Sequence, residues 1–143
     1  MARARKRTTD AQLTALSGEF FVAAELLKRG LQCSVTFGNA KAIDLFAYNP
    51  RLRKQFAVQV KALKAKAYFP ISHAKVEAHC IYVFAILNKP GKPVEYFVVP
   101  GGELLREPDR FGKYFAHYPK FPGIYPRELE YYRDRWDVFD TGE

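Results

Sequence analysis

The longest uninterrupted apolar segment of the sequence, Ile81 to Leu87, limits what the chain can fold into. It is much shorter than the roughly 20 residues that a membrane-spanning helix requires. Its length and its β-branched and aromatic residues are those of a strand. The N-terminus is charged and has no apolar stretch behind it, so no secretion signal is expected. These features favour a soluble, cytoplasmic protein that contains a β-sheet.

The composition supports a folded chain in a reducing compartment. The 143 residues are 48% hydrophobic and 27% charged, which excludes wholesale disorder and is consistent with one domain. The two cysteines, Cys33 and Cys80, have neither the spacing of a zinc site nor the number of a disulfide framework. Both are predicted to be buried thiols.

The N-terminal part of the chain predicts a helix over residues 10 to 29. Thr8, Thr9 and Asp10 offer capping side chains, and Gly30 can adopt the left-handed conformation that ends a helix. Between them, apolar residues recur at the spacing of one helical face, namely Leu13, Leu16, Phe20, Ala23 and Leu27.

The rest of the chain predicts a mixed sheet. Strands are expected at Leu31–Phe37, Ile43–Tyr48, Gln55–Lys61, Ile81–Leu87 and Glu95–Val99. A short helix is expected at Glu103–Glu107, and a last helix at about Glu128–Trp136. This order indicates an α/β fold in which helices flank a mixed sheet. We expect a basic arm over residues 1–9 and one domain over residues 10–143, with an aromatic and Pro-rich extension from about residue 108.

The charge balance points to nucleic acid. Lys and Arg total 23 against 15 Asp and Glu, which gives a net charge of +8, and a strongly basic chain attracts polyanions. The excess is concentrated at two places, an N-terminal arm and a second cluster. They consist of Arg3, Arg5, Lys6 and Arg7 and of Lys61, Lys64 and Lys66. A solvated tail that only aids solubility is the alternative for the arm.

Four polar residues stand out because they lie among apolar neighbours on predicted elements. Asp44 begins the second strand, Gln59 and Lys61 share one face of the third strand, and Glu19 lies on the first helix. Their oxygens are donors that suit Mg²⁺ or Mn²⁺, and an adjacent lysine suits phosphodiester hydrolysis. Alternatively, Asp44 caps a turn and the other three are solvated surface residues.

Three segments together resemble the PD-(D/E)XK nuclease superfamily, which includes restriction endonucleases and Holliday-junction resolvases. They are Gly18-Glu19-Phe20-Phe21-Val22-Ala23, Ala42-Ile43-Asp44-Leu45-Phe46-Ala47 and Ala57-Val58-Gln59-Val60-Lys61. The resemblance implies a restriction-endonuclease-like core. It also implies that Asp44, Gln59 and Glu19 hold Mg²⁺, with Mn²⁺ as an alternative, and that Lys61 is the catalytic lysine. Gln59 departs from the usual acidic residue, which removes one negative charge from the implied metal site.

This resemblance implies a metal-dependent DNA endonuclease or resolvase that acts on duplex or branched DNA as a homodimer. Two alternatives remain open, a non-catalytic nucleic-acid-binding module with the same fold and a subunit of a larger DNA-processing assembly. The segment from Phe111 to Tyr125 either covers the sheet edge or offers rings on which bases stack. A basic chain without a recognisable base-reading helix is expected to bind chiefly through phosphates.

Overall fold

The structure is a computed structural model that describes residues 10–36 and 43–141. The helices and strands of these residues are α1 Asp10–Lys28, β1 Gln32–Val35, β2 Leu45–Asn49, β3 Lys54–Leu63, β4 Phe69–Pro70, β5 Cys80–Ile86, β6 Glu95–Pro100, α2 Gly101–Arg106, α3 Lys113–Ala116 and β7 Gly123–Ile124. Short 3₁₀ segments lie at His73–Lys75, Pro108–Phe111, Pro126–Tyr132 and Trp136–Asp140. Within the described ranges, no helix has the length and apolar character needed to cross a membrane.

Five strands form a mixed sheet in the order β1-β2-β3-β5-β6, and β4 pairs with β7 in a small second sheet. Strands β3 and β5 are parallel, and the other neighbours in the large sheet are antiparallel. Every residue of β5 is buried, which explains its uninterrupted apolar sequence. The predicted α/β mixed sheet flanked by helices is confirmed.

The sheet separates two hydrophobic cores. The first core lies between the sheet and α1 and includes Val22, Leu26, Val58, Trp136 and Phe139. The second core lies on the opposite face, under the segments that follow β6, and includes Phe69, Phe84, Phe111, Phe115 and Ile124. The apolar surface buried on both faces is the main source of stability.

Helix α1 is present as predicted, but the face that packs against the sheet differs from the predicted one. Its buried residues are Gly18, Val22, Ala23 and Leu26, whereas Leu13, Leu16, Phe20 and Leu27 remain 42–54% exposed. Gly30 ends the helix with a φ of +95°, in the left-handed region that glycine adopts without strain.

The C-terminal helix predicted over residues 128–136 is wrong. Two 3₁₀ segments occupy this region, and Asp134 between them has a φ of +53°. Arg133 forms a bridge with Phe97, and the Asp134 N–H donates to the Tyr96 carbonyl at 2.9 Å. The chain therefore pairs with the edge of β6 at the point where a helix would have to continue.

Asn49 links the C-terminal segment to the β2–β3 turn through hydrogen bonds. Its side chain is 1% exposed and donates from Nδ2 to the Phe139 carbonyl at 2.8 Å. Its Oδ1 accepts from the backbone N–H groups of Arg51 and Leu52 at 3.0 and 3.3 Å. The buried amide thus has partners for both of its polar atoms, as buried polar groups require.

Both cysteines are free thiols, but only Cys80 is buried as predicted. Cys33 lies on β1 and is partly exposed, because this strand is at the edge of the sheet. Burial raises the pKa of the Cys80 thiol to about 11.

Candidate active site

Asp44 lies immediately before β2, where the regular hydrogen-bond pattern between β2 and β3 is interrupted. Leu45 is paired with Val58, and the Asp44 N–H also donates to the Val58 carbonyl at 2.9 Å. Two successive residues therefore oppose one, as in a β-bulge, which redirects a side chain at the end of a strand. The carboxylate of Asp44 accepts from the Val60 N–H at 2.7 Å, which places it beside the backbone between Gln59 and Lys61.

Glu19 reaches this site because Gly18 allows α1 to lie very close to β3. A Cβ atom at Gly18 would lie 2.5 Å from the Cβ of Ala62 and 3.5 Å from a methyl group of Val60. Only a residue without a side chain fits this contact. The next residue, Glu19, is thereby held close enough to share a hydrogen bond with Asp44.

The two carboxyl groups interact strongly. Partial burial, followed by the charge of Asp44 and the hydrogen bond to it, raises the pKa of Glu19 to about 7. Two carboxylates that are forced together cannot both ionise without cost, so one of them retains a proton near neutral pH. A cation placed between them would relieve this repulsion.

Lys61 brings a positive charge to the same place. It lies on β3, and burial lowers its pKa, an effect that Asp44 opposes and Lys75 reinforces. Alternation along β3 gives Phe56, Val58 and Val60 to the first core, whereas Ala57 and Leu63 pack on the second core. Lys61 therefore faces the second core, as the sequence predicts.

Gln59 shares that face of β3 and is half-buried. Its partner on β5 is Tyr82, and the partner of Lys61 is Phe84. The sequence thus correctly places Gln59 and Lys61 on one face, with Asp44 bonded between them.

The oxygen donors of Glu19, Asp44 and Gln59 are of the kind that a hard divalent cation such as Mg²⁺ prefers. They approach from different sides: α1, which bears Glu19, packs on the first-core face of β3, whereas Gln59 lies on the face of the second core. Among the residues that the structure describes, no three His, Cys, Asp or Glu side chains converge on a common point. A cation here would therefore depend on the amide oxygen of Gln59 or on water as a third ligand.

The predicted DNA-binding residues Lys64 and Lys66 are both exposed. Lys64 is exposed, and its Nζ lies 3.2 Å from Oδ2 of Asp10. A hydrogen bond from Asn88 is the main cause of the lowered pKa of Glu95, and Lys66 contributes through its charge. The residues of the basic arm, Arg3, Arg5, Lys6 and Arg7, lie outside the described residues.

Two features of the site were missed from the sequence. Lys75, in a 3₁₀ turn, is close enough to help lower the pKa of Lys61. The two lysines are far apart in the sequence, so no local pattern indicated that they are neighbours. The contact of Gly18 with Ala62 could not be predicted without knowing how α1 packs on the sheet. The sequence signal for it is the small residue directly before the glutamate of the helix.

Two solved structures are among those that are similar to this chain. The bacterial homing endonuclease I-Ssp6803I superposes with a TM-score of 0.60 over 94% of this chain and 96% of its own, at 15% sequence identity. The chain has a nuclease-like fold. Hjc, a Holliday junction resolvase from the archaeal hyperthermophile Archaeoglobus fulgidus, gives a TM-score of 0.43 over 62% of this chain and 73% of its own, at 21% identity.

Comparisons of the sequence with protein-family profiles and with curated proteins give no match. The nuclease-like fold therefore rests on the structure. It agrees with the fold implied by the three segments that contain Glu19, Asp44, and Gln59 with Lys61.

Proposed function

We propose that the protein is a metal-dependent DNA endonuclease that hydrolyses phosphodiester bonds. The observation that carries the proposal is the position of the Asp44 carboxylate on a nuclease-like fold: it accepts from the Val60 N–H between Gln59 and Lys61, and it neighbours Glu19. Two like charges that are held together in a partly buried site cost stability, and groups perturbed in this way are found mainly at functional sites.

In this proposal Asp44 is the principal ligand of Mg²⁺ or Mn²⁺, and Glu19 and Gln59 are the additional ligands. The cation would supply a more acidic bound water and a positive charge beside the scissile phosphate. Lys61 stabilises the negative charge that develops on the phosphate oxygens or orients the attacking water. The hydrogen bond that the Val60 N–H donates to Oδ2 of Asp44 holds the carboxylate in place.

The decisive experiment measures cleavage of plasmid, branched and single-stranded DNA with Mg²⁺ and with Mn²⁺. Asp44→Asn and Lys61→Met should each lower the cleavage rate at least about 100-fold, because the first removes the charge of the proposed principal metal ligand and the second removes the positive charge beside the phosphate. Asp109→Asn is the matched control, since this exposed carboxylate belongs to a different segment. Equal cleavage by the parent protein and Asp44→Asn would contradict the proposal.

Metal titration gives a readout that does not depend on cleavage. Gln59→Glu adds a carboxylate and should tighten Mg²⁺ binding about tenfold or more if Gln59 is a ligand. Asp44→Asn should weaken it.

A non-catalytic nucleic-acid-binding module is the second candidate, and Gln59 is the residue that favours it. An amide in place of a carboxylate leaves the site with one negative charge fewer. If the parent protein cleaves no DNA with either cation and Gln59→Glu gains no activity, the binding module is the better assignment.

The proposed DNA-binding residues are Arg3, Arg5, Lys6, Arg7, Lys64 and Lys66. Phosphate contacts from such residues position a protein on DNA without reading its sequence. Their combined replacement by serine should weaken binding to all DNA sequences alike, while single replacements should have small effects.

We further propose that the protein acts as a homodimer, because one site cuts only one strand of a duplex. The outer face of α1 supports this proposal: Leu13, Leu16, Phe20, Phe21 and Leu27 are all 42–54% exposed. Roughly 100 Å² of each side chain is available, or roughly 500 Å² in each copy. Two copies would then bury roughly 1,000 Å², which reaches the lower limit for a specific interface.

The ends of α1 favour an antiparallel pair. Asp10 lies in its first turn and Lys28 in its last turn. An antiparallel arrangement would place each acidic end against the basic end of the second copy. Sedimentation should give a dimeric mass for the parent protein and a monomeric mass for the double variant Leu16→Glu with Phe20→Glu. Leu52→Glu, at an exposed leucine outside α1, is the control. A parent protein that remains monomeric while it is bound to DNA would overturn this proposal.

A further inference from the structure

A group of exposed rings lies on the segment that follows α2. Tyr114, Tyr118 and Phe121 are 37%, 45% and 84% exposed. The centroid of the Tyr114 ring lies 5.0 Å from that of Tyr118 and 6.1 Å from that of Tyr125. Tyr68 adds a ring at 5.0 Å from Tyr125. These five residues are termed the aromatic surface.

Phe121 projects from the aromatic surface on an anchored backbone. Its carbonyl accepts a hydrogen bond from the Tyr68 hydroxyl, and the next carbonyl, of Pro122, accepts from the Ile71 N–H at 3.2 Å. The following residue, Gly123, pairs with Pro70 in the small sheet. The chain is therefore held on both sides of a ring that is left in solvent.

The backbone of Phe121 is itself unusual. Its φ is +53°, a region that large side chains rarely adopt. Glycine or asparagine adopts this conformation at a lower cost. An exposed aromatic side chain in a strained conformation is instead typical of a residue that contacts a ligand.

The surroundings of the aromatic surface are basic. The guanidinium of Arg127 lies 4.8 Å from the Tyr125 ring centroid, and Nζ of Lys113 lies 5.5 Å from that of Tyr114. Lys120 directly precedes Phe121, and residues 111–127 contain no Asp or Glu. Arg127 has Glu128 as an ion-pair partner at 3.6 Å. Rings combined with cations favour an anionic partner that also has flat faces, which is the chemistry of a nucleic acid.

A buried layer of the second core lies between the aromatic surface and the candidate active site. Phe84 is paired with Lys61 across β5 and β3, and the ring of Phe69 packs on Phe84 at 5.1 Å. Phe69 follows Tyr68 in the chain and pairs with Ile124. One layer of side chains therefore links Lys61 to the aromatic surface on the same face of the large sheet.

We propose that the aromatic surface binds unstacked bases of DNA, with Phe121 as the ring on which a base stacks. The proposal rests on the proposed function in that it takes DNA as the ligand, and it goes further by naming the substrate class. DNA with unpaired bases, whether single-stranded or at a branch, offers free base faces. A fully paired duplex does not.

Fluorescence anisotropy with three probes tests the proposal: a single strand, a fork with unpaired arms, and a fully paired duplex of the same sequence. Phe121→Ala should weaken binding of the single strand and the fork about tenfold, and that of the duplex less than about twofold. Phe121→Trp should retain the binding, and its new fluorescence should be quenched by the single strand, since Trp136 is buried. Tyr131→Ala is the matched control, because Tyr131 is 69% exposed outside the aromatic surface.

The outcomes separate this proposal from the proposed function. If Phe121→Ala leaves all three affinities unchanged, or weakens them equally, while the parent protein still cleaves DNA, only the base-binding role is overturned. If the parent protein binds none of the probes, both proposals are overturned. Thermal unfolding of Phe121→Ala should match that of the parent protein, because the ring makes few contacts that the fold requires.

Discussion

Glu19 gives the fold a pH dependence that can be measured without a metal or DNA. Partial burial and the neighbouring Asp44 raise the pKa of Glu19 from 4.5 to about 7. Between about pH 4.5 and about pH 7, Glu19 therefore remains protonated in the native state, whereas in the unfolded chain it is ionised. The stability that this proton provides is fully present below about pH 4.5 and is lost as the pH rises through about 7.

The size of the effect follows from the shift. A shift from 4.5 to about 7 corresponds to about 3.4 kcal/mol when each pKa unit is worth about 1.36 kcal/mol. Because Glu19 is only partly buried, solvent screening reduces this contribution to roughly 1–2 kcal/mol. Glu19→Gln removes the titrating group, so the free energy of unfolding of this variant should not show this loss as the pH rises.

Urea unfolding followed by circular dichroism, in the presence of a chelator, measures the effect. The parent protein should lose roughly 1–2 kcal/mol relative to Glu19→Gln between about pH 5 and about pH 8. Glu25→Gln, on the same helix, is the control and should follow the parent protein. Parallel pH profiles for the parent protein and Glu19→Gln would refute the strong interaction between the two carboxyl groups.

Three further predictions concern packing, a buried amide and ionic strength. Gly18→Ala should lower the free energy of unfolding in urea by about 1–2 kcal/mol, although alanine has the better helix propensity. Adding Ala62→Gly should recover part of the loss. Additive effects of the two changes would argue against a direct contact. Asn49→Ala should cost about 2 kcal/mol because the Phe139 carbonyl loses its donor, and an unchanged urea midpoint would contradict this. DNA affinity measured by anisotropy should fall about 100-fold between about 50 mM and about 200 mM salt if about four phosphates are contacted, and salt-independent binding would exclude the phosphate-based interface.

The sheet could be predicted from the sequence because each strand has a local signal. The uninterrupted apolar run of β5 and the alternation of Phe56, Val58 and Val60 on β3 reflect burial that acts on consecutive residues. The juxtaposition of Asp44 with Gln59 and Lys61 followed from the same alternation and from the turn between the two strands.

Features that depend on distant partners were not predictable in this way. The inner face of α1 was misassigned because Gly18 packs on Ala62, so the helix presents its smaller residues to the sheet and leaves Leu13 and Leu16 exposed. The C-terminal helix was wrong because Arg133 and Asp134 pair with β6, a strand distant in sequence. Tertiary contacts overrode local helix propensity at this position.

The first core has a consequence for the order in which the chain can fold during its synthesis. Phe139 packs edge-on against Phe56 at 5.2 Å, and the guanidinium of Arg29, just after α1, lies 5.1 Å from the Trp136 ring. The layer beneath α1 is therefore completed by residues that the ribosome adds long after the helix has emerged. Until then, Val22 and Leu26 have an incomplete apolar cover, and exposed surface of this kind leads nascent chains to aggregate or to bind chaperones. Translation must thus pass Phe139 before the first core can close.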